Sequence, residues 1–349
     1  MYSRNLATPD FVRFREYMIT EKEMPMREIG GYIEWERFHG SAYHTDCLSL
    51  NCGRSALALL IQLKDIRQIA LPYFLCGSVY EVCRKYGVSV RFYHINQNFG
   101  PDTVVPEKGE YVYLVNYYGQ TDRKYIEHLR GIYSGKVIVD NAQAFFEKPL
   151  DGVDTLYTCR KFFGVADGAY LYTDAPASGL DMPADESFDR MRFLFGRYER
   201  AAEEFYPEYV KNNEFFSDEP VKRMSRLTGN LLRGIDYEFV KRRRTENFSF
   251  LHERLKGLNR LSLKIPQGAF MYPLWIADGD RVRKRLLEQK IYIPTLWPDV
   301  LEQCRESDPE YGMAENILPL PVDQRYSRED MEYMAERLFQ VLEGIKCTG

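Results

Sequence analysis

The chain has 349 residues, 45% hydrophobic and 14% aromatic, so it can bury a large core and is long enough for two subdomains. Its 51 acidic and 47 basic residues leave a formal charge of −4 without long single-sign blocks, which excludes a nucleic-acid or membrane surface and points to small molecules or a second copy as partners. Seven scattered cysteines with no CxxC pair, and no histidine at zinc-ligand spacing, exclude a metal site and suit reduced, buried thiols.

The first residues, "MYSRNLATPDFVRFREYM", carry charges where a signal peptide needs an apolar stretch, and nowhere is there a run of about 18 apolar residues as a membrane span requires. The expected setting is the cytoplasm. From about residue 48 to 175, short apolar runs alternate with helical patterns. The runs "RQIALPYFL", "GVSVRFYHI", "YVYLVNYYG", "KVIVDNAQAFF", "DTLYTCRKFFG" and "GAYLYT" read as strands, and "SALALLIQL", "GSVYEVCRKYG" and "KYIEHLRGIYSG" as helices between them. That alternation predicts an α/β unit with a mainly parallel sheet.

Residues 185–256 read as long charged helices, and the run Arg242, Arg243, Arg244 on one of them reads as a solvated face. A strand "FMYPLWIAD", a helix "GDRVRKRLLEQK", a strand "IYIPTLWP" and a last helix "REDMEYMAERLFQVLEGI" then predict a smaller α+β domain. The division falls at residues 1–240, an N-terminal arm and large α/β domain, and 241–349, the small C-terminal domain.

Three features carry chemistry. In "LSLNCGRSALALLIQL", Gly53, Arg54 and Ser55 open a helix whose free N–H groups suit a phosphate; Asn51 or Ser55 as an ordinary N-cap is the competing reading. In "VIVDNAQAFF", Asp140 ends a β-branched run, where open α/β sheets gather ligands, although helix capping explains such an Asp equally well. Twenty-one residues further on, Lys161 sits beside Arg160 in an apolar strip. A phosphate seat, an acid for a pyridine nitrogen and a lysine for a Schiff base are what pyridoxal 5′-phosphate needs.

In that order and spacing the chain resembles the DegT-type sugar aminotransferases, a family of fold-type-I pyridoxal-phosphate enzymes. The matching segments run from "EIGGYIEWE" through "NCGRSAL", "LPYF", "VNYYGQ", "VIVDNAQAFF" and "CRKFFGVADGAYLYT" to "IYIPTLWP" and "ILPLPVDQRY". The resemblance implies a large pyridoxal-phosphate-binding α/β domain with a smaller C-terminal one, and an aminotransferase moving an amino group from an amino acid such as glutamate to a keto-sugar or similar carbonyl. It makes Lys161 the Schiff-base lysine and Asp140 the pyridinium partner, with Gln143 on the ring's 3-oxygen side. Gly53, Arg54 and Ser55 become the phosphate turn, joined by the Thr158 hydroxyl, with Tyr73 or Phe74 a ring that stacks on the cofactor. Asn116 is a cofactor or substrate contact or a turn cap; Trp297 and Arg325 line the entrance or are a packed Trp and an Arg paired with Asp323.

The pattern departs from the family where a Gly-Glu-Gly-Gly turn is replaced by "FFGVADGAY", and where Ser225 and Arg226 replace an Asn that reaches the partner subunit's phosphate. A non-catalytic protein that keeps the fold is the alternative. A sugar dehydratase on the same scaffold is the nearest rival among enzymes, but those relatives replace the lysine with His. The resemblance, together with 26 Tyr and 21 Phe, predicts a homodimer with its sites at the subunit boundary.

Overall fold

The computed structural model describes residues 29–102, 105–177 and 179–346, so Glu28 of the "EIGGYIEWE" segment and Cys347 lie outside the described residues. Two compact units divide at Phe38 and His39. In the first, residues 29–38 form neither helix nor strand, and Arg37 pairs with Glu34 one turn earlier.

The second unit opens with β1 (Leu48–Leu50), α1 (Gly53–Leu63), β2 (Gln68–Pro72), α2 (Gly77–Lys85), β3 (Ser89–Tyr93), β4 (Tyr111–Val115), α3 (Arg123–Ile132), β5 (Val137–Asp140), β6 (Asp154–Thr158) and β7 (Ala169–Tyr172). The seven strands form one sheet in the order β1-β7-β6-β5-β4-β2-β3. Strands β2 to β6 run parallel, whereas β7 is antiparallel to both neighbours. Every residue of "VIVD" is buried, as a central strand covered by helices on both faces requires. All six expected strands form here; β1 and the reversal of β7 are additions.

Chain reversal at β7 means that β1 again runs parallel to β6. The carboxyl ends of β1 to β6 therefore share one edge of the sheet, which is where open α/β folds hold ligands.

Next come α4 (Arg192–Glu199), α5 (Tyr206–Phe215), α6 (Arg226–Arg233) and α7 (Tyr237–Leu255), so the first of the two long helices expected from the sequence is interrupted. The chain closes with β8 (Met271–Trp275), α8 (Gly279–Glu288), α9 (Val300–Gln303), α10 (Pro309–Asn316), β9 (Ile317–Pro321) and α11 (Arg328–Lys346). A separate hydrophobic cluster joins Leu251 of α7, Leu274 of β8, Leu286 of α8, Leu318 of β9 and Leu338 of α11.

The partner of β8 is β9, and "IYIPTLWP", expected to be a strand, forms none. Pro294 and Pro298 remove backbone donors there, and Trp297 takes a left-handed φ of 58° that no strand accommodates. In β9, Pro319 lies opposite Pro273 of β8. An antiparallel ladder tolerates this in a non-hydrogen-bonded pair, where N–H groups point outward; at the neighbouring position of the same phase, the Trp275 N–H indeed leaves the ladder to donate to Asn259 Oδ1.

Candidate active site

Asp140 ends β5 nearly out of reach of solvent. Its Oδ1 accepts from the Ala142 N–H (2.8 Å) and its Oδ2 from the Tyr113 hydroxyl (2.9 Å). Burial pushes its pKa up, while the Lys161 charge and these two donors oppose that and favour the carboxylate.

Lys161 is exposed and lies three residues beyond the end of β6, in a turn closed by the Phe162 and Phe163 N–H groups on the Cys159 carbonyl. Its Nζ stands 5.5 Å from the centre of the Phe270 ring. Because β6 ends at Thr158, strand alternation does not decide where Arg160 points. Its guanidinium bonds Asn213 Oδ1 and lies over the Phe216 ring at 4.9 Å, and burial lowers its pKa. Arg54 donates to the carbonyl of the same Asn213 (2.9 Å), so the two arginines meet beside the first turn of α1.

That turn has a cap other than the two candidates weighed from the sequence: Cys52 Sγ accepts from the Ser55 N–H. The Ser55 hydroxyl donates to Asn51 Oδ1 (2.6 Å), and Asn51 Nδ2 donates to Asp185. Around Gly53 an added Cβ would meet nothing within 4 Å.

Gln143 is buried, and its Oε1 accepts from the Tyr118 N–H (2.8 Å) while its Nε2 finds no partner among the described residues. Asn116 accepts from the Thr121 N–H and donates to Asn141 Oδ1, both at 2.9 Å, which ties it into the turn after β4. Thr158 is half-buried at the end of β6, paired with Ala169. Tyr73 follows β2 and stacks on Phe92 at 5.0 Å, with His94 at 4.7 Å. Trp297 packs edge-on against Phe74 and Tyr117, and Arg325 grips Asp323 through two bonds of 2.7 and 2.8 Å.

The departure "VADGAY" has a structural purpose. Asp167 is fully buried and accepts from the Ser225 N–H and hydroxyl, each at 2.7 Å, and from the Thr228 hydroxyl. Gly168 holds φ 115°, and a Cβ there would come within 3.1 Å of Cys159 and Thr228. Ser225 also caps α6 by accepting from the Thr228 N–H, so its hydroxyl is engaged within the chain, while Arg226 is exposed at the first position of that helix.

Two residues escaped the sequence reading. Tyr113, part of a run read only as a strand, supports Asp140; the signal was its place two residues before the end of β4, on the face it shares with Asp140. Arg244 was assigned to a solvated face and is instead buried, bonded to the Phe162 carbonyl beside Lys161. A surface groove between α7 and α11 contains neither Lys161 nor Asp140. No cluster of metal-ligating side chains and no helix long and apolar enough to cross a membrane occurs among the described residues.

No protein-family model and no curated protein matches the chain. Solved structures do. An aminotransferase, TlmJ, from Streptoalloteichus hindustanus superposes with a TM-score of 0.62 at 17% identity, over 86% of this chain and 86% of that one. A DegT DnrJ EryC1 StrS aminotransferase from Brucella abortus gives 0.57 at 13% identity, over 84% and 85%. NtdA from Bacillus subtilis, with bound cofactor PMP, gives 0.62 at 15% identity, over 85% and 73%. The chain has the fold of these proteins, the fold-type-I arrangement that the sequence implied.

Proposed function

We propose that the chain is a pyridoxal-phosphate-dependent aminotransferase that moves an amino group from an amino acid, glutamate being the first candidate, to a keto-sugar or similar carbonyl. What supports this reading most is the buried Asp140 at the carboxyl edge of this sheet, held by the Tyr113 hydroxyl and the Ala142 N–H and with its charged form favoured by the Lys161 charge. The residues present fit the cofactor. Asp140 offers a carboxylate whose charged form its two donors and Lys161 favour, the unpartnered Gln143 Nε2 offers a donor to a ring oxygen, and Gly53 and Arg54 at the start of α1 offer N–H groups to a phosphate.

Gly53, Arg54 and Ser55 would hold the phosphate, with Thr158 adding its hydroxyl; Tyr73 and Asn116 would border the ring, and Asp140 would hold the proton on its nitrogen. When bound, the cofactor supplies an electron sink for the carbanion at the substrate α-carbon. Lys161 would supply the amine that holds the cofactor at its aldehyde carbon and, when free, the base for the substrate α-proton. Tyr113 and the Ala142 N–H would orient the Asp140 carboxyl and favour its charged form.

Residues 241–349 act in this reading as the smaller lobe, and the working unit is a cytoplasmic homodimer. The exposed Phe188, Tyr198 (93%) and Tyr206 support an interface near α5, whose Asn213 holds Arg54 and Arg160; six described cysteines, all free, support a reducing compartment. The test is the absorption spectrum of the protein with pyridoxal phosphate, followed by glutamate. A bound-cofactor band that shifts with the amino donor is expected, and no band would end the proposal. Light scattering that found an active monomer would end the dimer.

A further inference from the structure

The basic run on α7 divides. Arg242 and Arg243 both approach Glu246 at 3.9 Å near the surface, whereas Arg244 turns inward and is 2% exposed. Its guanidinium donates through Nε to Gln324 Oε1 (2.7 Å), through Nη1 to the carbonyls of Ala269 (2.9 Å) and Phe270 (3.3 Å), and through Nη2 to the carbonyl of Phe162 (3.1 Å). Gln324 Nε2 donates to that same Phe162 carbonyl (2.8 Å), and the guanidinium covers the Phe162 ring at 4.6 Å. Among the described residues no carboxylate comes within ion-pair distance of it. Burial lowers its pKa to about 10, which leaves it charged at neutral pH.

Burying a cation with carbonyl partners alone is a costly way to fill a core, and an apolar side chain of similar volume is often at least as stabilising. The contacts show what the cost secures. Phe162 follows Lys161 directly, so fixing its carbonyl, part of the 162–163 peptide, anchors the chain one residue beyond the lysine. Phe270, held through its own carbonyl, is the ring beneath the Lys161 Nζ. One guanidinium thus sets both the anchor and the platform of the lysine, from segments more than eighty residues away.

We propose that Arg244, with Gln324, is a positioning residue for Lys161: a clamp from the C-terminal segments that holds the lysine amine where it can reach a carbonyl held over Asp140. This rests on the functional reading of Lys161 given above.

The experiment is a double-mutant cycle with pyridoxal phosphate as the probe, on the wild-type chain, Arg244→Met, Lys161→Ala and the double variant. Two quantities are measured: the rate at which borohydride fixes the cofactor on residue 161, read by peptide mapping, and the dissociation constant of the cofactor. Arg244→Met is expected to slow fixation about tenfold or more, because small displacements of a reacting group carry penalties of that size. It should weaken binding in the wild-type background yet change it less than about twofold when Lys161 is already absent. Equal weakening in both backgrounds marks a merely structural arginine and overturns the inference, as does fixation at the wild-type rate. Should Arg244→Met not fold, Gln324→Met removes one donor from the Phe162 carbonyl and leaves the arginine; it should show the same dependence on Lys161 at smaller amplitude, and wild-type behaviour would overturn the clamp. If the wild-type chain fixes no cofactor at Lys161, the functional reading falls first and the clamp with it.

Discussion

Two buried aspartates stand on either side of the turn that carries Lys161, and they are held in different ways. Asp167 accepts three hydrogen bonds, all from the start of α6, and these donors are the main influences that favour its charged form. Asp140 accepts two and feels the charge of Lys161 as well. Burial pushes both pKa values up, so the difference lies in what answers the charge. A carboxylate answered mainly by the donors of one helix start fastens one element to another. One placed at a strand end and balanced by a lysine from another element is suited to meet a ligand.

The largest effect that separates the two regions is expected from Lys161→Ala, which should abolish covalent fixation of pyridoxal phosphate after borohydride treatment and leave the thermal unfolding midpoint of the cofactor-free protein unchanged, since the side chain is exposed. A labelled peptide containing any other lysine would remove the site from this turn. Asp140→Asn should still bind cofactor but lower turnover about a hundredfold or more, the scale associated with losing one preorganised charge contact. Near-wild-type transamination by that variant would erase the distinction between the aspartates.

Asp167→Ala is expected to reverse the pattern. Removing a carboxylate that three buried donors share should lower stability by about 3 kcal/mol in chemical denaturation, because those donors lose their partner. The cofactor should still be fixed on Lys161 in the fraction that remains folded. If stability held and fixation were lost, Asp167 would belong with the chemistry.

Part of this contrast was legible in the sequence. Asp140 and Lys161 stood out because local patterns mark them, a β-branched run ending in Asp140 and an apolar strip interrupted by Arg160 and Lys161. The strands of the parallel core were legible for the same reason. "IYIPTLWP" misled because its apolar content outweighed two prolines in the reading, while "ILPLP" hid a strand because prolines argue against one unless their missing N–H groups face outward. The roles of Tyr113 and Arg244 are contacts across strands or across some eighty residues, and no local pattern encodes them. Ser225 matched the family's position by order alone; only the fold reveals that its hydroxyl is already bonded to Asp167.

The smallest effect concerns a third buried titratable group, His44, which sharpens the contrast by having no charged partner. It is 5% exposed, its Nε2 donates to the Phe145 carbonyl (2.9 Å), and its Nδ1 therefore accepts from the Tyr172 hydroxyl (3.1 Å), an arrangement that holds the neutral ring. Burial lowers its pKa from 6.5 to about 4. Since the folded-state value is the lower one, the unfolded chain takes up the proton first as the pH falls. The stability this group contributes is present above pH 6.5 and is lost as the pH drops from there toward about 4. At about 1.4 kcal/mol per pH unit the full loss is about 3 kcal/mol, and between pH 7.5 and 5.5 it is about 1.3 kcal/mol. Urea unfolding of the wild-type chain and of His44→Gln at those two pH values measures it. The pH-dependent difference should shrink by about that amount in the variant, and an unchanged difference would mean that His44 is already protonated in the folded protein or that other groups carry the dependence.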